Sequence, residues 1–213
     1  MSKRKSNRSL YRQDSKKSPY EVILIVCEGE KTEINYFKDL IKIERLSSVN
    51  IAVYSGSGSD PVSVVRTAIE KDKEQKMYLP FDNIYCIIDR DEHKNFDDAL
   101  QLAKDHKINL IVSYPSFEYW YICHFNYSRA PILRTNNRSP GDNCVHTLKS
   151  EWRKVFCEEY EKNIKNPYSK LNTYVDKALI NAQNALKDAK SSEELNPSTR
   201  VHELVDFLRN IKK

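Results

Sequence analysis

The sequence turns on the stretch Val22-Ile23-Leu24-Ile25-Val26-Cys27-Glu28-Gly29-Glu30-Lys31-Thr32-Glu33. Its first six residues are apolar and mostly β-branched, which reads as a strand buried on both faces. Gly29 permits a sharp turn, and the polar residues beyond it open a helix over about residues 32–45. Functional groups of open α/β sheets gather where the carboxyl ends of strands meet the following helices. Glu28 stands at that position. A second apolar run, Ile84-Tyr85-Cys86-Ile87-Ile88, ends in Asp89-Arg90-Asp91-Glu92-His93. Two buried strands that each end in acid predict one acidic, metal-binding edge.

Working outward, residues 49–54 read as another strand, followed by Ser55-Gly56-Ser57-Gly58-Ser59. This loop lacks the lysine and spacing of a P-loop and reads as a flexible connection rather than a phosphate cradle. Asp60-Pro61 is a helix start, with Asp as N-cap and Pro at the first helical position. Val62, Val65, Ile69 and Met77 would be the buried stripe of that helix. A third helix, about 96–106, carries Phe96, Ala99, Leu100 and Ala103 on one face, and a strand follows at 108–113. Pro115 ends it, and Ser116 caps a short aromatic helix beginning near Phe117-Glu118-Tyr119-Trp120.

The alternation of strands and helices predicts an α/β fold, with a mainly parallel sheet flanked by helices. Residues 126–143, rich in Asn, Pro and Gly, read as a loop or insertion, and the remainder as helices over about 144–160, 171–190 and after Asn196-Pro197. In the last of these, Val201, Leu204, Val205 and Leu208 form an apolar stripe. The chain thus divides into a basic arm (1–18), an α/β core (19–125), an insertion (126–143) and a helical C-terminal part packing on the core (144–213).

With 213 residues, 39% hydrophobic and 31% charged, the chain can bury one sizeable core. No apolar run reaches the roughly 18 residues of a bilayer span. Residues 1–17 are polar and basic without the apolar centre of a secretory signal, so a cytoplasmic location is expected. The five cysteines include no CxxC pair. Cys123, His124, Cys144, His146 and Cys157 match no common zinc spacing, which argues against zinc. A net charge of +5 is compatible with a nucleic-acid partner without demanding one. Its distribution says more: basic residues crowd the first 17 positions, and Arg129, Arg134 and Arg138 cluster in the insertion.

Mg²⁺, or Mn²⁺ in its place, takes hard oxygen ligands, commonly one or two carboxylates plus water and substrate phosphate. If the strand continues through Asp89-Arg90-Asp91, the two aspartates share a face. Glu28 on a neighbouring strand completes the cluster. Glu118 is a lone carboxylate among aromatics, either buried for chemistry or projecting from a helix end. Lys31 and His93 are candidate phosphate contacts, and each reads equally well as a solvated residue at a helix start.

At these residues the chain resembles the RloB-like proteins. The resemblance rests on Val26-Cys27-Glu28-Gly29-Glu30-Lys31-Thr32-Glu33, Ile88-Asp89-Arg90-Asp91-Glu92-His93, Pro115-Ser116-Phe117-Glu118-Tyr119-Trp120 with His124-Phe125, and Asn196-Pro197-Ser198-Thr199, in the family's order. RloB-like proteins are small prokaryotic proteins of phage-defence and abortive-infection loci, commonly encoded beside an ABC-type or AAA ATPase. Their core is similar to the Toprim domain, so the resemblance implies a Toprim-like sheet. By motif, the metal-binding glutamate of that domain is Glu28 and its aspartates are Asp89 and Asp91, serving Mg²⁺-dependent phosphoryl transfer. Glu118, which belongs to the RloB-like motif, would add a metal ligand or general base. Glu92-His93-Lys94 stands where Toprim enzymes often carry glycine, and no topoisomerase-type tyrosine is identifiable. The resemblance therefore implies hydrolysis rather than strand passage.

Two functions compete. One is a metal-dependent nuclease acting on RNA, for example tRNA, or on DNA, with the insertion arginines gripping phosphate. The other is a non-catalytic nucleic-acid-binding or regulatory subunit of an ATPase complex, docking through the surface around Phe117-Tyr119-Trp120-Tyr121. Convergence of the acids on an open cleft favours the first.

Overall fold

The computed structural model describes residues 21–47, 50–58, 60–90 and 95–211. The basic arm, Asp91 and His93 lie outside the described residues. Five strands form one sheet in the order β2-β1-β3-β4-β5: β1 (Ile23–Cys27), β2 (Ile51–Ser55), β3 (Asn83–Asp89), β4 (Asn109–Tyr114) and β5 (Ser198–Thr199). The first four are parallel, and β5 pairs antiparallel with β4 through Ser113 opposite Thr199 and Tyr114 opposite Ser198.

The apolar run of β1 is buried throughout because the sheet is covered on both faces. Side chains alternate across a strand. Ile23, Ile25 and Cys27 accordingly enter one core with α1 (Thr32–Ile43), α4 (Glu118–Phe125), α5 (Pro140–Phe156), α7 (Val175–Ser192) and α8 (Val201–Asn210). Leu24 and Val26 enter the other, with α2 (Pro61–Gln75) and α3 (Phe96–Asp105). The Asp60 carboxylate accepts from the amides of Val62 and Ser63 at 3.1 and 3.2 Å, so α2 starts where the sequence placed it. In α7, Ala178, Ala182, Ala185 and Ala189 are fully buried, and their small side chains let the helix lie close against α4. The α8 stripe, Val201, Leu204, Val205 and Leu208, is buried as expected.

Several expectations are corrected. Helix α2 ends at Gln75, leaving Met77 exposed, and Leu100 faces solvent. Phe117, Tyr119, Trp120 and Tyr121 are core residues, in keeping with the core reading of these aromatics rather than the docking face of the regulatory alternative. Ser116 does not cap α4; its hydroxyl donates to the Glu118 carboxylate at 2.7 Å. Helix α5 begins at Pro140 rather than Cys144, because Ser139 and Asp142 form a reciprocal capping box. A short α6 (Pro167–Leu171) and a 3-10 turn precede α7, which starts at Val175. The C-terminal part is not helical alone: β5 completes the sheet. No helix among the described residues is long and apolar enough to cross a membrane.

Candidate active site

In a 2-1-3-4 parallel order the chain reverses direction across the sheet between β1 and β3, and ligands of such sheets bind outside the carboxyl ends at that switch point. Glu28 follows β1 and Asp89 ends β3, so both stand there. They are coupled directly: the Asp89 amide donates to Glu28 Oε2 at 3.0 Å, and the Glu28 amide donates to the Ile87 carbonyl at 3.0 Å.

Glu118, at the first position of α4, is 4% exposed. Besides the Ser116 hydroxyl it has Lys162 Nζ 3.9 Å from Oε1. A fourth acid, Glu33, was passed over as an ordinary polar residue of the first helical turn. It is 6% exposed, and its Oε1 accepts from the Gly29 amide at 3.2 Å. A Cβ on Gly29 would lie 2.2 Å from Glu33 Oε2, so the turn needs glycine for the close approach of this carboxylate. The available signal was Glu33 one helical turn beyond the glycine that follows Glu28.

Glu28, Glu33, Asp89 and Glu118 line one cavity of about 700 Å³. Its rim carries Gly56, Ser57 and Gly58 from the β2–α2 loop, Ser139, Gly141 and Asp142 from the start of α5, and Lys31 and Lys162. Two of the acids, Glu33 and Asp89, have raised proton affinity. Burial first, then the Glu118 and Glu28 charges, push Glu33 from 4.5 to about 7, against its backbone hydrogen bonds. Burial, then Glu33, Glu118 and Glu28, hold Asp89 well above the carboxylate range, with the Phe117 amide pulling the other way. Asp89 Oδ1 is buried and has no hydrogen-bond partner among the described residues.

The remaining candidates separate. Lys31 is the exposed N-cap of α1 and faces the cavity. Arg129 is turned elsewhere: its guanidinium donates to the carbonyls of Glu194 and Pro197, anchoring the insertion to the turn before β5. Neither Arg134 nor Arg138 lines the cavity. Strand β3 ends at Asp89, so the shared-face geometry expected of Asp89 and Asp91 falls outside the described residues. The Gly56 and Ser57 amides donate to the Cys27 carbonyl and Thr67 Oγ1, which supports reading this loop as a connection. His124 of the aromatic motif is fully buried with Nδ1 2.9 Å from the Trp120 carbonyl, and burial lowers it to about 3. It is a neutral core residue.

A divalent cation fits the donor set. The donors are hard oxygens, partly desolvated, and Asp89 Oδ1 has no hydrogen-bond partner among the described residues. Among the described residues no three His, Cys, Asp or Glu side chains form a ready metal cage. Mg²⁺ needs none, since one or two carboxylates with water and substrate phosphate suffice.

The fold and cleft define an α/β protein with an acidic site at a topological switch point. The chain belongs to the RloB-like protein family, which matches residues 23–208. No curated protein and no solved structure matches it.

Proposed function

We propose that this protein is a metal-dependent nuclease that hydrolyses phosphodiesters of RNA, with tRNA one such substrate, or of DNA. The observation that carries the reading is that Glu28, Glu33, Asp89 and Glu118 line one cavity, with Asp89 Oδ1 buried and without a hydrogen-bond partner among the described residues. Clustered carboxylates with raised proton affinity are a frequent mark of functional sites. Glu28 and Asp89 are the residues to hold Mg²⁺ or Mn²⁺, with Asp91 as the third acid of the motif; Glu118 is placed to assist as ligand or general base. Such an ion, when bound, supplies an activated water and charge neutralisation at phosphate. Glu33, protonated near neutrality, would exchange a proton within the site. Family context extends the proposal to phage defence or abortive infection alongside an ATPase partner.

The alternative, a non-catalytic nucleic-acid-binding or regulatory subunit of that ATPase complex, is favoured by one observation. Glu118 is already engaged by Ser116 and Lys162. Labelled tRNA, single-stranded DNA and double-stranded DNA, incubated with Mg²⁺ or Mn²⁺, decide between them. The nuclease reading expects cleavage abolished by EDTA and reduced at least ~100-fold in Asp89→Ala. Intact substrates, with nucleic-acid or partner binding that survives the substitution, would leave only the regulatory role.

A further inference from the structure

Two lysines stand among the residues that line the acidic cleft, and further lysines lie along the same helix and loop. Lys31 and Lys162 line the cleft, and Lys38, Lys42 and Lys165 line a second cavity of about 240 Å³ beside α1. One loop supplies Lys162 to the first cavity and Lys165 to the second, and α1 holds that loop at two points. Thr32 Oγ1 donates to the Lys162 carbonyl at 2.9 Å, and Asn35 Nδ2 donates to the Ile164 carbonyl at 3.1 Å. The loop backbone that carries Lys162 and Lys165 is thereby held along the helix.

Lys31, Lys38 and Lys42 follow helical spacing on one side of α1, and at 1.5 Å per residue they span about 16 Å of axis. Lys38, Lys42 and Lys165 are exposed and in no ion pair among the described residues. Asp39, between Lys38 and Lys42 in sequence, turns its two oxygens to the Ser169 amide and hydroxyl at 2.7 and 3.0 Å and so anchors α6. Glu30 and Glu161 are exposed beside Lys31 and Lys162, whereas Lys38, Lys42 and Lys165 line a cavity whose one acid, Asp39, is engaged inward.

We propose that Lys38, Lys42 and Lys165 form a track for the phosphate backbone of a nucleic-acid strand entering or leaving the cleft past Lys31 and Lys162. The proposal rests on the reading of the cleft as a nuclease centre and names where its substrate lies. Such a track holds phosphates without reading sequence. Of the insertion arginines, Arg129 is tied to backbone carbonyls and is not free for such a grip.

The test is binding of the full chain to a labelled single-stranded RNA by fluorescence anisotropy, in EDTA, across a salt series. The triple variant Lys38→Glu/Lys42→Glu/Lys165→Glu is compared with Lys73→Glu/Lys76→Glu/Lys104→Glu. The second has the same net charge but sits on and beside α2 and α3, across the sheet. Three lost phosphate contacts at about 0.7 each predict that the slope of log affinity against log salt falls by about 2 in the first triple alone. Equal losses in both triples, an unchanged slope in the first, or no binding by wild type would overturn the track. Binding that depends on the track without metal-dependent cleavage would support it while removing the nuclease reading.

Discussion

Polar side chains are buried at two places along this sheet, and the two are treated oppositely. At the β4–β5 edge every group is matched: the Ser113 and Thr199 hydroxyls lie 2.8 Å apart, Thr199 Oγ1 accepts from the Val201 amide, and His202 Nδ1 meets the Thr199 carbonyl at 3.0 Å. Arg200 also donates from its guanidinium to the Leu110 carbonyl and from its amide to the Val112 carbonyl. At the β1–β3 end, four carboxylates share a cavity, two of them with raised proton affinity and one with an oxygen that has no hydrogen-bond partner among the described residues. Satisfied polar burial locks a sheet edge in place. Unsatisfied polar burial lowers stability and persists where something outside the chain completes it.

This contrast breaks first at Asp89. Asp89→Ala is expected to lose cleavage at least ~100-fold while thermal stability holds or rises, because a repelling carboxylate is removed. A matched loss of melting temperature would make Asp89 structural. The next effect is pH dependence without added metal. Glu33 binds its proton more tightly folded than unfolded, so its contribution to stability falls as pH rises from about 4.5 to about 7 and stays low above. The loss is on the order of 3 kcal/mol. Melting followed across that range should show it, Glu33→Gln should flatten it, and a stability that climbs with pH would refute it.

At the paired edge, Thr199→Val should cost about 2 kcal/mol, since the Ser113 hydroxyl and Val201 amide lose their partner. Denaturant unfolding measures this, and catalysis should change little. Gly29→Ala should displace the Glu33 carboxylate rather than the backbone, because the near contact is the far end of a flexible side chain. It is expected to lower turnover about tenfold at near-constant stability. Smallest is Lys162→Gln: with Lys162 63% exposed and 3.9 Å from Glu118, it should shift melting by no more than about 1 kcal/mol.

The legible parts of the fold were those where one local pattern carried the decision. The unbroken apolar runs of β1 and β3 required a sheet covered on both faces, and Asp60-Pro61 set the start of α2. Glu28 and Asp89 could be placed because strand ends are visible in sequence. Glu33 could not, because its burial comes from the α1 turn folding back on Gly29 and from Glu118 arriving on a distant helix. Strand β5 has two residues, too few for any periodicity, and it is defined by pairing with β4. The start of α5 was readable in Ser139-Pro140 with Asp142 following, but the surrounding Asn, Pro and Gly masked it as a loop. The role of Arg129 depends on carbonyls more than sixty positions away.

The insertion has a consequence for timing. Asn196 brackets Ile132 by accepting from its amide and donating to its carbonyl, and Arg129 holds the carbonyls of Glu194 and Pro197. The segment leading into Ser139 and Asp142, at the mouth of the cleft, is therefore moored to residues synthesised after all four acids. A chain still emerging from the ribosome carries the carboxylates before the mouth that frames them is fastened.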